Sequence, residues 1–301
     1  FGTTTDSEVI GQLIALSPGP TWVEKIRAAM ARLEGAYSLA LLTHEALYAV
    51  RDPLGIRPLA LGRYNGSWLV ASETCALDHV GAELVREVEP GEIVEIDRNG
   101  LRSYLGRVSP RQAFCIFELI YLARPDSRFS GRLIYLMREA MGAELAREHP
   151  VEADLVTGVP DSAIPAAIGY ARASGIPFRE ALIKNRYVGR TFIQPDQRMR
   201  ALGVQLKFNP LPEVLRGKRV VVVDDSIVRG TTTPRVVRLL RAAGAREVHL
   251  RICAPPIRWP CYYGVDMATR EELIAAHKSV AEVAAWTGAD SLGYLSVEGL
   301  L

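Results

Sequence analysis

Val220-Val221-Val222-Val223-Asp224-Asp225-Ser226-Ile227-Val228-Arg229-Gly230-Thr231-Thr232-Thr233 is the stretch on which the fold turns. Four consecutive β-branched residues bounded by polar ones have no solvent side. They read as a strand buried on both faces, central in a parallel sheet. Two carboxylates follow at its carboxyl end, then a hydroxyl- and glycine-rich turn, then Pro234, whose missing N–H costs nothing at the start of a helix. Strand, acidic pair, loop and helix in that order make a ligand site at a sheet's carboxyl edge.

Asp224 and Asp225 only accept hydrogen bonds when ionised, so they suit a ribose cis-diol, directly or through Mg2+. Backbone N–H groups from Arg229 to Thr233, free at a helix start and unobstructed at Gly230, suit a phosphate, with threonine hydroxyls as extra donors. Phosphate at one end and diol at the other describe a phosphorylated ribose. The run resembles the phosphoribosyl pyrophosphate (PRPP) signature of type I phosphoribosyltransferases. That resemblance implies that Asp224, Asp225, Ser226, Val228, Arg229, Gly230, Thr231 and Thr232 bind PRPP. The competing reading is an acidic pair that merely caps the next helix.

The 301 residues suffice for two domains with cores of their own. At 49% hydrophobic and 23% charged residues, the composition is that of an ordinary globular protein. Lys and Arg number 36 against 34 Asp and Glu, and the net charge of +2 argues against a nucleic-acid partner. No apolar run reaches the length of a membrane span and no signal peptide is visible, so no membrane partner is expected. Four cysteines, at 75, 115, 253 and 261, are too few and too scattered for a disulfide scaffold, which makes a reducing cytoplasm the expected location. The chain opens at Phe1, already inside a motif, and reads as a fragment or a processed form.

Residues 1–106 alternate short strands with turns. Residues 39–42 and 47–50 read as a hairpin, and 68–71 and 92–96 as further strands, the last closing on the tight-turn pair Asn99-Gly100. Residues 7–14 and 22–33 have helical spacing, with Thr21 as N-cap of the second. This α+β segment carries Phe1-Gly-Thr-Thr-Thr-Asp6-Ser-Glu-Val, Arg51-Asp-Pro-Leu-Gly-Ile-Arg-Pro-Leu and Ala71-Ser-Glu-Thr-Cys-Ala. These motifs resemble the later half of an amino-terminal-nucleophile glutaminase domain, a layered αββα fold. The resemblance implies that Asp6 grips the α-amino group of glutamine. In that family the nucleophile is an amino-terminal cysteine whose own amine is the base. With Phe1 in first place, the expected glutaminase site is half present; Asp6 on its own reads equally as a solvated N-cap.

Residues 107–301 have a different rhythm. A strand-like run from Cys115 ends in Arg124-Pro125-Asp126, and residues 133–149 read as a helix with Pro150 beyond it. Strands at 153–159, 219–223 and 247–252 alternate with helices at 165–173, closed by Gly175, and 235–243. Such alternation means right-handed βαβ units and a mostly parallel α/β sheet. Two loops then face one crevice. The turn Pro160-Asp161-Ser162 lies where the phosphoribosyltransferase family binds pyrophosphate, and Ser162 fits a third Mg2+-associated position beside Asp224 and Asp225 by resemblance, an N-cap role remaining open. Lys184, Arg186 and Arg190 surround Gly189 in a decapeptide matching the family's basic flap, which would cover pyrophosphate and exclude water.

Taken whole, the chain resembles the glutamine phosphoribosylpyrophosphate amidotransferase family, with residues 1–106 as the glutaminase part and 107–301 as the phosphoribosyltransferase domain. The resemblance implies conversion of PRPP, glutamine (or ammonia) and water to 5-phosphoribosylamine, glutamate and pyrophosphate, the first committed step of purine synthesis. It also implies Mg2+, purine nucleotide inhibitors and a homo-oligomer. One subgroup holds a [4Fe-4S] cluster on four thiolates; Cys115 and Cys261 match two of them, while Cys75 and Cys253 read as small buried hydrophobes. No other pair matches, so these 301 residues alone are not expected to complete a cluster. Two alternatives stay open. A salvage phosphoribosyltransferase leaves Arg51-Asp-Pro-Leu-Gly-Ile-Arg without a role, and a non-catalytic PRPP-binding regulator has no need of the flap.

Overall fold

The structure is a computed structural model that describes residues 2–185, 208–267 and 269–301. Two compact units divide it: Phe1–Glu118 with Asp126–Arg132, and Leu119–Pro125 with Leu133–Leu301.

In the first unit, β1 (Ser38–Leu42), β2 (Leu47–Arg51), β3 (Ala60–Tyr64), β4 (Ser67–Ala71), β5 (Glu83–Glu87), β6 (Glu92–Asp97) and β7 (Gly100–Leu105) form two antiparallel sheets, ordered β1-β2-β6-β7 and β4-β3-β5. The expected hairpin is β1–β2, its turn closed by the Thr43 N–H donating to the Ala46 carbonyl at 2.9 Å. Alternation along β2 sorts the core. Tyr48 and Val50 face the helices Asp6–Leu16 and Trp22–Met30 through Ile14, Ile26 and Met30, while Ala49 faces Leu61 of the second sheet and Leu59 and Val88 at the ends of its strands. Helix Thr74–His79 then packs Leu77 on Ala60. The layers run helix, sheet, sheet, helix, which is the expected αββα order. Thr21 caps its helix as read: its side chain accepts from the Glu24 N–H, and the Glu24 carboxylate accepts from the Thr21 N–H.

A two-residue hairpin, β8 (Arg128–Phe129) and β9 (Arg132–Leu133), turns through Ser130 and Gly131, both at positive φ.

The strand-like reading from Cys115 is corrected: residues 116–117 are helical and continue into a π-helical turn, Glu118–Leu122. The physical reason is local. The buried Arg138 guanidinium donates to the Leu119 and Ala123 carbonyls at 2.8 Å each, so these groups are satisfied without a neighbouring strand. Leu119, Ile120 and Ala123 are buried as a helical turn buries them, on one side.

In the second unit, β10 (Leu155–Gly158), β13 (Arg219–Asp224), β14 (Glu247–Ile252) and β15 (Ser291–Tyr294) form an entirely parallel sheet ordered β10-β13-β14-β15; β11 (Leu182–Lys184) and β12 (Phe208–Pro210) make a separate antiparallel pair. The valine run is the interior strand β13, and Val220 to Val223 are all fully buried. Val220 and Val222 join Val248, Leu250 and Ile252 under the helices Thr233–Ala242 and Val280–Thr287. On the other face lie the helices Ile134–Glu148 and Ile164–Ser174, the latter closed by Gly175 in the left-handed conformation as expected. These two helices touch backbone to backbone: a Cβ on Gly142 would stand 1.8 Å from the Ala166 carbonyl oxygen, and one on Gly169 1.9 Å from that of Glu139.

Candidate functional site

Strand β13 delivers Asp224 and Asp225 to the carboxyl edge of the sheet, both largely buried. Neither caps the following helix. The N-cap is Thr232, without a side-chain capping bond, and Pro234 sits in the first turn. Instead the Asp225 carboxylate is gripped at both oxygens, by the Ser226 hydroxyl donating to Oδ1 at 2.6 Å and by the Ser162 hydroxyl donating to Oδ2 at 2.5 Å. Asp224 Oδ1 accepts from the Asp225 N–H at 2.9 Å.

Ser162 arrives from the turn after β10, the strand paired with β13. Its helix is N-capped by Ala163, so the serine is turned to the acidic pair rather than to the helix end. A cis peptide joins Pro160 to Asp161, and the Asp161 carboxylate pairs with the Lys184 ammonium at the end of β11. The structure therefore links Asp161 to Lys184, and Ser162 to Asp225. Arg186 and Arg190, the remaining cations of the expected flap, lie outside the described residues.

Gly230 has φ +67°, a conformation other residues rarely adopt. Three contacts brace the loop there. The Ile274 N–H donates to the Val228 carbonyl at 3.0 Å, the Ile274 side chain lies under the Gly230 Cα, and the Trp286 indole N–H donates to the Gly230 carbonyl at 3.2 Å. The Arg229 guanidinium is tied to Glu272 at 2.6 Å and stands 3.5 Å from Asp266. Thr231 is exposed, Thr232 half-buried and Thr233 buried. Sequence reasoning missed Glu272, Ile274 and Trp286, which lie far along the chain from the loop and carry no motif.

Cys253 is buried just beyond β14, its N–H donating to the Asp224 carbonyl at 3.0 Å. Burial, and then the charges of Asp225 and Asp224, push its thiol far above the ordinary range. With Cys75, also buried, it is a small hydrophobe as read. Cys115 and Cys261 are half-buried.

Asp6 is exposed in the first turn of its helix, with Thr5 as N-cap. In the same unit a cavity of about 280 Å³ is lined by Arg51, Glu87, Glu89, Phe114 and Phe129 among others. Arg51, from the Arg-Asp-Pro-Leu-Gly-Ile-Arg motif, is buried and donates to the carbonyls of Arg57, Val88 and Gly55, while Asp52 accepts from the N–H groups of Leu54 and Ile56. In the structure this motif is a hydrogen-bonded turn anchored outward as well, by Arg51 at the Val88 carbonyl and by the Arg57 guanidinium at Glu118, 2.5 Å away.

Oxygen donors suit Mg2+, which takes one or two protein carboxylates and fills its remaining positions with phosphate and water. Asp224 and Asp225, with the Ser162 hydroxyl adjoining, fit that donor set. Among the described residues no group of three or more His, Cys, Asp or Glu side chains is placed to hold a metal. No helix among the described residues is long and apolar enough to cross a membrane.

Comparison with known proteins matches both units. A glutamine amidotransferase domain family matches residues 1–79, and a phosphoribosyl transferase domain family matches residues 137–266. The chain is 53% identical over 305 residues to the amidophosphoribosyltransferase of Synechococcus elongatus, covering 99% of this chain and 62% of that one. It is 51% identical over 301 residues to that of Bacillus subtilis, covering 100% of this chain and 63% of the relative. Among solved structures it resembles a glutamine phosphoribosylpyrophosphate amidotransferase from B. subtilis complexed with ADP and GMP, at 51% identity and a TM-score of 0.93, over 100% of this chain and 66% of that one. A second structure, described as the allosteric regulatory enzyme of purine biosynthesis, matches at the same TM-score over 65% of its length. The chain thus spans somewhat less than two thirds of the relatives it matches.

Proposed function

We propose that the chain is of the amidophosphoribosyltransferase family, to members of which it is 51–54% identical, and that it carries the PRPP-binding half of that enzyme and part of its glutaminase half, with the domain boundary at residue 106/107, before the Glu118 end of the first compact unit's main segment. The reaction is transfer of ammonia, from glutamine or from solution, to C1 of PRPP with release of pyrophosphate. The observation that carries this reading is the Asp224-Asp225 pair at the carboxyl end of an interior parallel strand, running directly into a braced, glycine-bearing loop at a helix start.

Displacing pyrophosphate from an anomeric carbon builds positive charge on the ribose and negative charge on the leaving group, so the protein's work is holding geometry and stabilising charge. Asp224 and Asp225 take the ribose diol. Ser226, Val228, Arg229, Gly230, Thr231 and Thr232 present amides and hydroxyls to the 5-phosphate. Asp161, Ser162 and Lys184, with Arg186 and Arg190, serve pyrophosphate. Asp224, Asp225 and Ser162 would hold Mg2+, which would supply positive charge to neutralise the leaving group. Ammonia is already a nucleophile and needs no protein base. Asp6 takes the α-amino group of glutamine. Cys115 and Cys261 would supply two thiolates of a cluster, and no step depends on it. Purine nucleotides compete for the phosphate loop, and a cytoplasmic homo-oligomer is the expected form.

The experiment is pyrophosphate release from PRPP and Mg2+ by the 301-residue chain, with ammonium chloride at mildly alkaline pH in one arm and glutamine in the other. Release with ammonium supports the transferase assignment. Tight PRPP binding without release in either arm overturns it in favour of a sensor.

A further inference from the structure

We infer that Trp286 is a positioning residue for the phosphate loop, acting through the Gly230 carbonyl to fix the direction of the Thr231 N–H. The inference rests on the phosphoribosyl reading of that loop and adds to it a residue that no motif marks. In a trans peptide the C=O and the following N–H point in opposite directions. The Trp286 indole N–H, 3.2 Å from the Gly230 oxygen, therefore turns the Thr231 N–H to the side away from the tryptophan.

That orientation needs a holder. A flip of the 230–231 peptide turns ψ of Gly230 by about 180°, and at its φ of +67° the resulting conformation is open essentially to glycine alone. A flip would exchange an N–H donor for a carbonyl oxygen in the proposed anion cradle, replacing attraction by repulsion. Ile274 contributes from below, since a Cβ on Gly230 would stand 2.5 Å from its Cδ1, and its own N–H holds the Val228 carbonyl. The Arg229 side chain is engaged by Glu272 and so leaves its backbone amide as its contribution to the loop. Trp286 is more than half exposed and pairs with Lys278, whose Nζ is 5.5 Å from the ring centroid. An exposed indole contributes little to the core, yet its one polar atom is spent on the loop.

Trp286→Phe removes the donor and keeps an apolar ring for Lys278. Calorimetric titration of the 301-residue chain with ribose 5-phosphate, and separately with pyrophosphate, reads the consequence. The variant is expected to bind ribose 5-phosphate about fivefold to tenfold more weakly, the worth of one hydrogen bond, with pyrophosphate affinity changed less than about twofold. Unchanged ribose 5-phosphate affinity overturns the inference. Proportional loss of both ligands also overturns it, since that is general loosening, and so does a parent chain that does not bind ribose 5-phosphate. A parent that binds ribose 5-phosphate, shows the selective loss in the variant, but releases no pyrophosphate from PRPP keeps Trp286 in this role and removes the catalytic reading alone.

Discussion

Asp225 is held by two hydroxyls, Ser226 on one oxygen and Ser162 on the other, and this sets what its replacement does. Asparagine keeps the shape. Its oxygen accepts from one hydroxyl, and the other hydroxyl rotates to accept from its amide, since a serine oxygen both donates and accepts. The fold is retained and the negative charge is lost. Asp225→Asn is expected to lower ammonia-dependent pyrophosphate release by about 100-fold, roughly 2.7 kcal/mol of transition-state stabilisation, with an unchanged circular dichroism spectrum. Wild-type turnover in that variant would remove the acidic pair from the proposed site. Asp224 and Asp225 were legible because an all-valine run has to be a buried strand, and carboxylates directly after it have to stand at the sheet's carboxyl edge. The hydroxyl that joins them was less legible: Ser162 reads equally well as an N-cap, and only the structure turns it to Asp225 and leaves the cap to Ala163.

Among the elements, the helix pair Ile134–Glu148 and Ile164–Ser174 closes one face of the parallel sheet at glycine contacts. A Cβ on Gly142 would lie 1.8 Å from one backbone oxygen and 2.6 Å from its carbon, and no flexible side chain can move to relieve it. Alanine is the better helix former by about 1 kcal/mol, but the helices would have to part, and such overpacking typically costs about 1–3 kcal/mol or more. Gly142→Ala is therefore expected to lower stability by about 1 kcal/mol or more net of propensity, read as a lower urea midpoint. A raised midpoint would mean that these helices do not approach so closely. Both helices were readable from composition and from Gly175 at the end of the second, while their closeness was not, because a mid-helix glycine has no period that announces a partner. The run from Cys115 failed for a related reason. A short apolar stretch suits a strand or a helical turn, and what decides it is Arg138, whose guanidinium satisfies the Leu119 and Ala123 carbonyls from the next helix along. The layering of the first unit was legible only through its resemblance to a glutaminase, since alternation in β2 says that both faces are covered and not by what.

At the scale of the whole molecule, stability against pH depends on groups the site does not use, and His249 on β14 is one of them. Its ring is buried, with Nδ1 3.0 Å from the Ser291 hydroxyl and Nε2 3.2 Å from the Glu247 carboxylate. Burial lowers its pKa below the ordinary 6.5, and the neighbouring Arg251 charge adds to this; Glu247 and Asp290 pull the other way without overcoming it. Above the unfolded value the imidazole is neutral in both states and exerts no pH dependence. As pH falls through 6.5 the unfolded chain takes up a proton that the folded chain refuses, so stability present at neutral pH is lost toward the lower folded value. The slope is at most one proton, about 1.4 kcal/mol per pH unit. Between pH 6.5 and 5.5 the wild-type chain is therefore expected to lose up to about 1 kcal/mol more unfolding free energy than His249→Gln, which keeps a polar side chain beside Ser291 and titrates nothing. Urea denaturation at half-unit pH steps measures both curves. The carboxylates whose pKa values the fold lowers, such as Glu92 beside Arg86, act below the ordinary carboxylate value of 4.5 and cancel in the difference between the two proteins. Parallel curves would mean that His249 accepts its proton in the folded state, with Glu247 close enough to offset burial.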